Sequence, residues 1–535
     1  MRRSDWIPVT TSLNGPDGTP FRGYARADGQ GGNPLFQAQP NDTIETQLTA
    51  AYAVLRARYP AVTITRHHAR MPYWHGNRVP APADYRIMDS PTAFTSTAIT
   101  VILAPNTQLH SAALGYHFQD STLPPLRERM QHVRFQGLVG NLGYYMTADL
   151  ISTKFPWAHN LRYPAFPLPE IPSYIGFHWH KDRDTGGVWS AFESAHPSAV
   201  AIRAGGDVEI IHSLNIKAYT ARFGSHTVHI DAINTPDAAD ADVVVFTPAL
   251  KSPEVERHIA LYESAGGASD VWQTYTPMIP LADGDERIHV FVANESRGTV
   301  PQEQVVAVWQ GSAPLPSFGA VLSFKRAYFE ATFGTVDVFE AEHLNHPVQI
   351  IPVGGLDFDR YQHIMGGFVP AVIDGRHLYA VDTVTQALRN LGQFGNATSP
   401  IAQTGRETRN FDPHRREPAG LLIQTQHHTG WVLFDGRHEL SIGASVIDAA
   451  LLLRTLETAG HLAGESVQQA IFIDGGSAMK VYDVVSDGMQ VILEPLNRVA
   501  AGARNGPSPD HEGLNLYSTL ALALAPPPDG YTSDR

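Results

Sequence analysis

The sequence predicts an α+β protein: mixed, largely antiparallel β-sheets with flanking helices. Three observations predict it. From residue 98 onward, short β-branched or aromatic runs follow one another with Gly, Pro, Asn and Asp between them. Many short strands without helices between them build antiparallel or mixed sheets. The apolar period becomes helical in two stretches, one near each end of the chain, so helices flank the strands and do not alternate with them. Finally, 45 Gly and 39 Pro in 535 residues suit a turn-rich globular chain, and that length exceeds the roughly 250–300 residues at which single cores stop growing.

Taken in order, residues 1–94 read as a loop-rich extension around one amphipathic helix, in NDTIETQLTAAYAVLRARYP. Asp42 and Glu45 have capping-box spacing, apolar residues recur at Ile44, Leu48, Ala51, Tyr52 and Leu55, and Pro60 stops the pattern. Strands are expected at AITVILAP (98–105), FQGLVGNLGYY, AVAIRAGG, DVEIIHS, HTVHIDAIN, ADVVVFTP, RIHVFVAN, EQVVAVWQ and GAVLSFKRAYF. GLLIQTQHHTGWVLFDGRHE reads as two strands joined near Thr429-Gly430, with Asp435-Gly436 as the next turn. SVIDAALLLRTLETAG reads as a helix capped by Ser445 and Asp448 and stopped by Gly460. A main domain over 95–525 and a tail over 526–535 complete the expected division.

Composition excludes several functions. A formal charge of −14 with 39 Lys+Arg argues against nucleic acid or an anionic membrane as a general partner. No cysteine means no disulfide framework, no thiolate nucleophile and no Cys-based metal centre. The basic pair in MRRSDWIPVTTSLNGPDG has no apolar run behind it, so no secretory signal is read there, and no stretch is long and apolar enough to suggest membrane insertion.

The chemistry-bearing stretches lie late in the chain. AIFIDGGSAMKVYD (470–483) ends an apolar strand on Asp474 and follows it with Gly475 and Gly476. Two bare residues make either a tight turn or a floor that a ligand can approach closely. FDPHRREPAG (411–420) gathers Asp412, His414, Arg415, Arg416 and Glu417 just before another apolar strand. Guanidinium forks match phosphate oxygens, although a solvated loop would show the same composition. FHWHKDRD sets His178 and His180 on one strand face, a pattern that would suit a metal or simply a structural pair.

FDGRHELSIGASVIDAALLLRTLETAG followed by AIFIDGGSAMKV resembles the signature of the phosphodiester glycosidase domain, the family of the enzyme that uncovers mannose 6-phosphate tags. Further motifs stand in the family's order: GNLGYYM (140–146), INTPDAADADVVVFTP (233–248), LPSFGAVLS (315–323), GGFVPAVIDG (366–375) and Arg416-Glu417-Pro418-Ala419-Gly420. The resemblance spans about residues 95–525. Two departures stand out: the third Gly of the family's DGGGS is missing, which brings Ser477 one place early, and Glu417 replaces a small residue.

The resemblance implies a hydrolase that cleaves the glycosidic C–O bond of a sugar-1-phosphodiester, on a small-molecule or glycan substrate and without a cofactor. Asp474 is then the expected essential carboxylate and Arg416 the phosphate clamp, with the second carboxylate open among Asp412, Glu417 and Asp435. Asn141, Asn234, Gly366, Gly367, Gly475, Gly476, Arg437 and Ser477 are the expected substrate-binding positions, and no metal ligand is assigned. Two other readings remain open at this stage: metal-assisted P–O cleavage, and a glycan-binding module without turnover.

Overall fold

The computed structural model describes residues 5–14, 20–27, 35–37, 44–74, 76–109, 111–116, 136–143, 145–146, 173–174, 176–181, 188–190, 192, 196–235, 238, 240–247, 279, 286–295, 302–311, 313, 319–394, 416–475, 479–485, 488–493 and 518–524. An eight-stranded core sheet runs in the order Arg376–His377, Pro370–Ile373, Val467–Ile473, Ala419–Thr425, His428–Phe434, Ser96–Pro105, Thr63–Arg70, Arg86–Met88. A second eight-stranded sheet, two five-stranded sheets and two small ones complete the β architecture. Every strand ladder described is antiparallel except that between Ala232–Ile233 and Val243–Phe246. Five α-helices flank the sheets among the described residues: α1 (Ile44–Arg58), α2 (Arg326–Phe333), α3 (Val336–His343), α4 (Val384–Phe394) and α5 (Val446–Thr458). The fold is α+β.

Both faces of the core sheet are buried, which is why its strands read as continuous apolar runs and not as alternating ones. One face, with Val101, Leu421, Val432 and Phe472, packs against Leu451 and Leu452 of α5. The other, with Ile102, Leu422, Trp431 and Ile471, packs against Leu55 of α1, Leu138 and Leu520 of a five-stranded sheet, and Val200 and Met365 of the second eight-stranded sheet. Helix α5 carries the predicted capping box: Ser445 Oγ accepts from the Asp448 amide, and Asp448 Oδ2 accepts from the Ser445 amide. Gly460, with φ of 73°, follows its end as expected. Strand His428–Phe434, α5 and strand Val467–Ile473 form a split β–α–β unit, with Ala419–Thr425 inserted between the two parallel strands.

Several expectations are corrected. The hairpin turn lies at residues 426–427, not near Thr429-Gly430, which sit inside the second strand. Gly430 is there for close approach: a Cβ on it would stand 1.9 Å from the Ile102 carbonyl oxygen. The end of GAVLSFKRAYF is helical, because Phe329 and Phe333 of α2 share one buried face at helical spacing. Helices α3 and α4 were not expected either. Thr63–Arg70 and Arg86–Met88, from the expected N-terminal extension, pair into the same sheet as Ser96–Pro105.

Gly366 and Gly367 serve architecture. Gly366 pairs with Ala199 and Phe368 with Ser198, so Gly367, at φ of 95°, is the extra residue of a β-bulge. The chain leaves the second eight-stranded sheet there and enters the core sheet at Pro370. The two sheets are also bridged by Gln424, whose amide accepts from the Ile210 N–H (3.0 Å) and donates to the Val208 carbonyl (3.0 Å). One side-chain amide thus docks on an edge strand as a neighbouring peptide would.

Candidate functional site

Strand Val467–Ile473 delivers Asp474 to one end of the core sheet, half-buried. Its backbone is fixed from both sides: the Asp474 amide donates to Leu142 O at 2.9 Å, and Asn141 Nδ2 donates to Asp474 O at 2.6 Å. The same Asn141 accepts from the Lys480 amide through Oδ1 at 3.3 Å and donates its own amide to Lys480 O at 3.2 Å. Asn141 therefore grips both ends of the segment that carries the chain from the core sheet into strand Val481–Val485 of the neighbouring sheet. Its side-chain amide is engaged with backbone groups at both ends of that segment.

Three glycines close on one short stretch. A Cβ on Gly475 would meet Pro418 O at 2.4 Å, one on Gly436 would meet Pro418 N at 2.6 Å, and one on Gly443 would meet the Glu417 backbone at 2.7 Å. Gly443 also has φ of 94°, open to glycine and strained for other residues. Glu417 and Ala444 exchange backbone hydrogen bonds of 3.3 and 3.0 Å, which completes the cradle. The Asp474, Glu417 and Asp435–Arg437 segments are thereby gathered round the Glu417-Pro418 peptide.

Within the cradle Glu417 pairs with Arg437 through Oε2 and Nη2, and both side chains keep about a fifth to a quarter of their surface in solvent (26% and 21%). Arg437 sits at φ of 57°, uncommon for a residue with a side chain. Its Nε is buried and has no hydrogen-bond partner among the described residues. Strand Leu35–Phe36 holds this turn in place: the Phe36 amide donates to Arg437 O at 2.8 Å and the Glu439 amide to Phe36 O at 2.9 Å. Asp435 is 1% exposed, accepts from the Gly436 amide at 2.8 Å and faces Arg66 Nη2 at 3.7 Å.

Arg416 takes a different place from the one expected of a phosphate clamp. It is buried, and its Nε and Nη2 form a bidentate pair with Asp448 at 2.8 and 3.0 Å, while Nη2 also donates to Pro72 O at 2.7 Å. Tyr85 Oη (2.6 Å) and Trp74 Nε1 (3.2 Å) complete the shell of Asp448. Burial alone would raise the Asp448 pKa, but the Arg416 charge and the hydrogen bonds outweigh it and hold the carboxyl below its usual value. For Arg416 burial works downward and the Asp448 charge and hydrogen bonds prevail upward. The pair anchors the cradle to α5, with Arg416 Nε and Nη2 both engaged.

The remaining expected positions scatter. Asn234, at φ of 51°, is tied to Thr247 by side-chain bonds of 2.9 and 2.8 Å at the end of a strand pair in another sheet. Asp412, Gly476 and Ser477 lie outside the described residues. His178 is buried in its strand, and among the described residues no group of three or more His, Asp or Glu is placed to hold a metal. Gly443, Arg66 and Asp448 escaped the sequence reading as site residues. Asp448 was legible only as a helix cap, because its second partner lies 32 residues away.

No family model matches the chain, and no curated protein does. Among solved structures it is similar to a hypothetical protein from Synechocystis (12% identity, 97% of this chain and 79% of that one, TM-score 0.38). A putative exported protein from Burkholderia pseudomallei K96243 follows (13%, 97% and 86%, TM-score 0.35). The catalytic domain of zebrafish N-acetylglucosamine-1-phosphodiester alpha-N-acetylglucosaminidase, auto-inhibited by its pro-peptide, is a third (9%, 87% and 83%, TM-score 0.32). Likeness at this level carries no argument about function.

Proposed function

We propose that the protein is a hydrolase that cleaves the glycosidic C–O bond of a sugar-1-phosphodiester, releasing a free sugar and a phosphate monoester. The observation that carries this reading is the gathering of Asp474 and the Glu417–Arg437 pair round one peptide, with a buried N–H on the cation that has no partner among the described residues. The ordered glycosidase-like motifs support it from the sequence side.

In this reading Arg437, not Arg416, meets the phosphate, because a guanidinium N–H without a partner is satisfied by an anionic oxygen. The Arg437 turn is held by Phe36, and the Arg437 fork by Glu417, so little reorganisation is needed when the anion arrives. Asp474 stands at the anomeric carbon and stabilises the positive charge that develops there. The C1–O bond breaks with its electron pair passing to the phosphate, water oxygen bonds to C1, and the displaced proton leaves to the phosphate monoester or to solvent. Because phosphate is a good leaving group, a strong general acid is not required. Glu417 remains the reachable second carboxylate; Asp435 is buried and positions the turn.

The test is turnover of a panel of glycosyl phosphodiesters by the protein and its Asp474→Asn and Arg437→Gln variants. Each substitution is expected to lower kcat/KM by roughly 100-fold or more, the scale of losing one charge-stabilising group, with the thermal midpoint unchanged. Full activity in Asp474→Asn would overturn the reading. Binding without turnover, altered by the variants in affinity alone, would describe a glycan-binding module.

A further inference from the structure

Arg70 and Arg86 stand directly opposite each other on the last two strands of the core sheet. Both are exposed, and neither has a hydrogen-bond or ion partner among the described residues. The acids nearest in sequence, Asp84 and Asp89, pair with neither, and Asp84 accepts instead from the Ala81 amide. Like charges directly opposite on neighbouring strands destabilise a sheet. Edge protection needs only one such charge. In a chain of net charge −14 the opposed pair runs against the local tendency as well.

The position of the pair supplies a reason. The ladder pairs Arg70 with Ser96 on its other side, and Ile99 with Phe434, so the Asp435–Arg437 turn stands level with Arg70 and Arg86 at the same end of the sheet. At about 4.8 Å per strand, Arg70 lies two strands and Arg86 three strands from that turn, about 10 and 14 Å away. Arg66, whose guanidinium faces Asp435 at 3.7 Å, lies on the same sheet face as Arg70 by strand alternation. Arg66 is held inside the sheet by Asp435 and Thr100, and Arg70 and Arg86 stand outward of it, at the sheet edge and level with the Arg437 turn.

The geometry points to Arg70 and Arg86 as a second anion subsite, which takes a further phosphate group on the aglycone beyond the bond being cleaved. The inference rests on the hydrolase reading for its substrate, a glycosyl phosphodiester whose leaving portion itself carries phosphate, as in a chain of phosphate-linked sugars. The two forks converge on one anion, whose charge relieves their repulsion.

Two measurements test it. Kinetics would compare a glycosyl methyl phosphodiester with one whose aglycone ends in a phosphate monoester. Arg70→Gln/Arg86→Gln is expected to raise KM for the second substrate about 10-fold or more, leaving kcat and the methyl substrate unchanged; equal effects on both substrates, or none, would overturn the subsite. Calorimetric titration with inorganic tripolyphosphate stands apart from catalysis. Binding about 10-fold weaker in the double variant and in Arg86→Glu supports the subsite even if no substrate is turned over, in which case only the hydrolase reading has failed. Unaltered tripolyphosphate binding in both variants overturns the subsite whatever the kinetics show.

Discussion

The Arg416–Asp448 pair is the residue on which the cradle depends most directly. Removal of Arg416 leaves the buried Asp448 carboxylate facing only neutral donors, and breaking such a pair costs about 3–5 kcal/mol. Arg416→Gln is therefore expected to lower the urea midpoint strongly, whereas Arg437→Gln is expected to keep near-native stability and lose turnover as proposed above; chemical denaturation of both variants separates the roles. Asp448 has its folded pKa depressed, so its contribution is fully present above the unfolded carboxylate value and is lost as pH falls through the lower folded one. His67 acts in the opposite chemical sense at a higher pH. Burial first, then the charges of His461 and His68, bring it from 6.5 to about 4. The unfolded chain binds that proton first, so stability is expected to decline as pH drops from 6.5 toward 4, and His67→Asn should flatten this part of a stability–pH profile.

At the scale of elements, the glycines make distinguishable predictions. Gly436→Ala would press a methyl into the Pro418 and Glu417 backbone, and the expected result is a loss of activity together with roughly 1–3 kcal/mol of stability. Gly460→Ala, with φ of 73° but open space around the missing Cβ, should cost only about 1 kcal/mol and leave activity intact. Thermal melts and turnover of the two variants check the contrast. The same glycines show what a sequence can and cannot express. The Ser445–Asp448 cap, the Asp474 strand end and Leu55 on the helix face are local patterns and were legible. Gly430 looked like a turn because a close approach to Ile102, more than 300 positions away, leaves the same signature as a bend. Gly366 and Gly367 were singled out through the glycosidase-like motif, and the bulge at Gly367 gives glycine a structural reason there that depends on strands far away in sequence. Arg416 was expected as the clamp ahead of Arg437, since only long-range partners show that one guanidinium is buried on Asp448 and the other pairs with a partly exposed Glu417.

At the scale of the whole molecule, the site lies where the core sheet hands the chain to its neighbour. Asn141 holds both ends of that crossing, so Asn141→Ala is expected to lower stability by about 1–3 kcal/mol through buried unsatisfied backbone groups and to lower kcat as well, because Asp474 loses its anchor. A variant with reduced stability but normal kcat would show that the crossing does not position Asp474. The proposed C–O cleavage at Asp474 is tested most directly by hydrolysis of a glycosyl phosphodiester in ¹⁸O-water, by the protein and by Asp474→Ala. Label in the released sugar, absent with the variant, is the predicted result; label in the phosphate would contradict it and assign the chemistry to P–O cleavage.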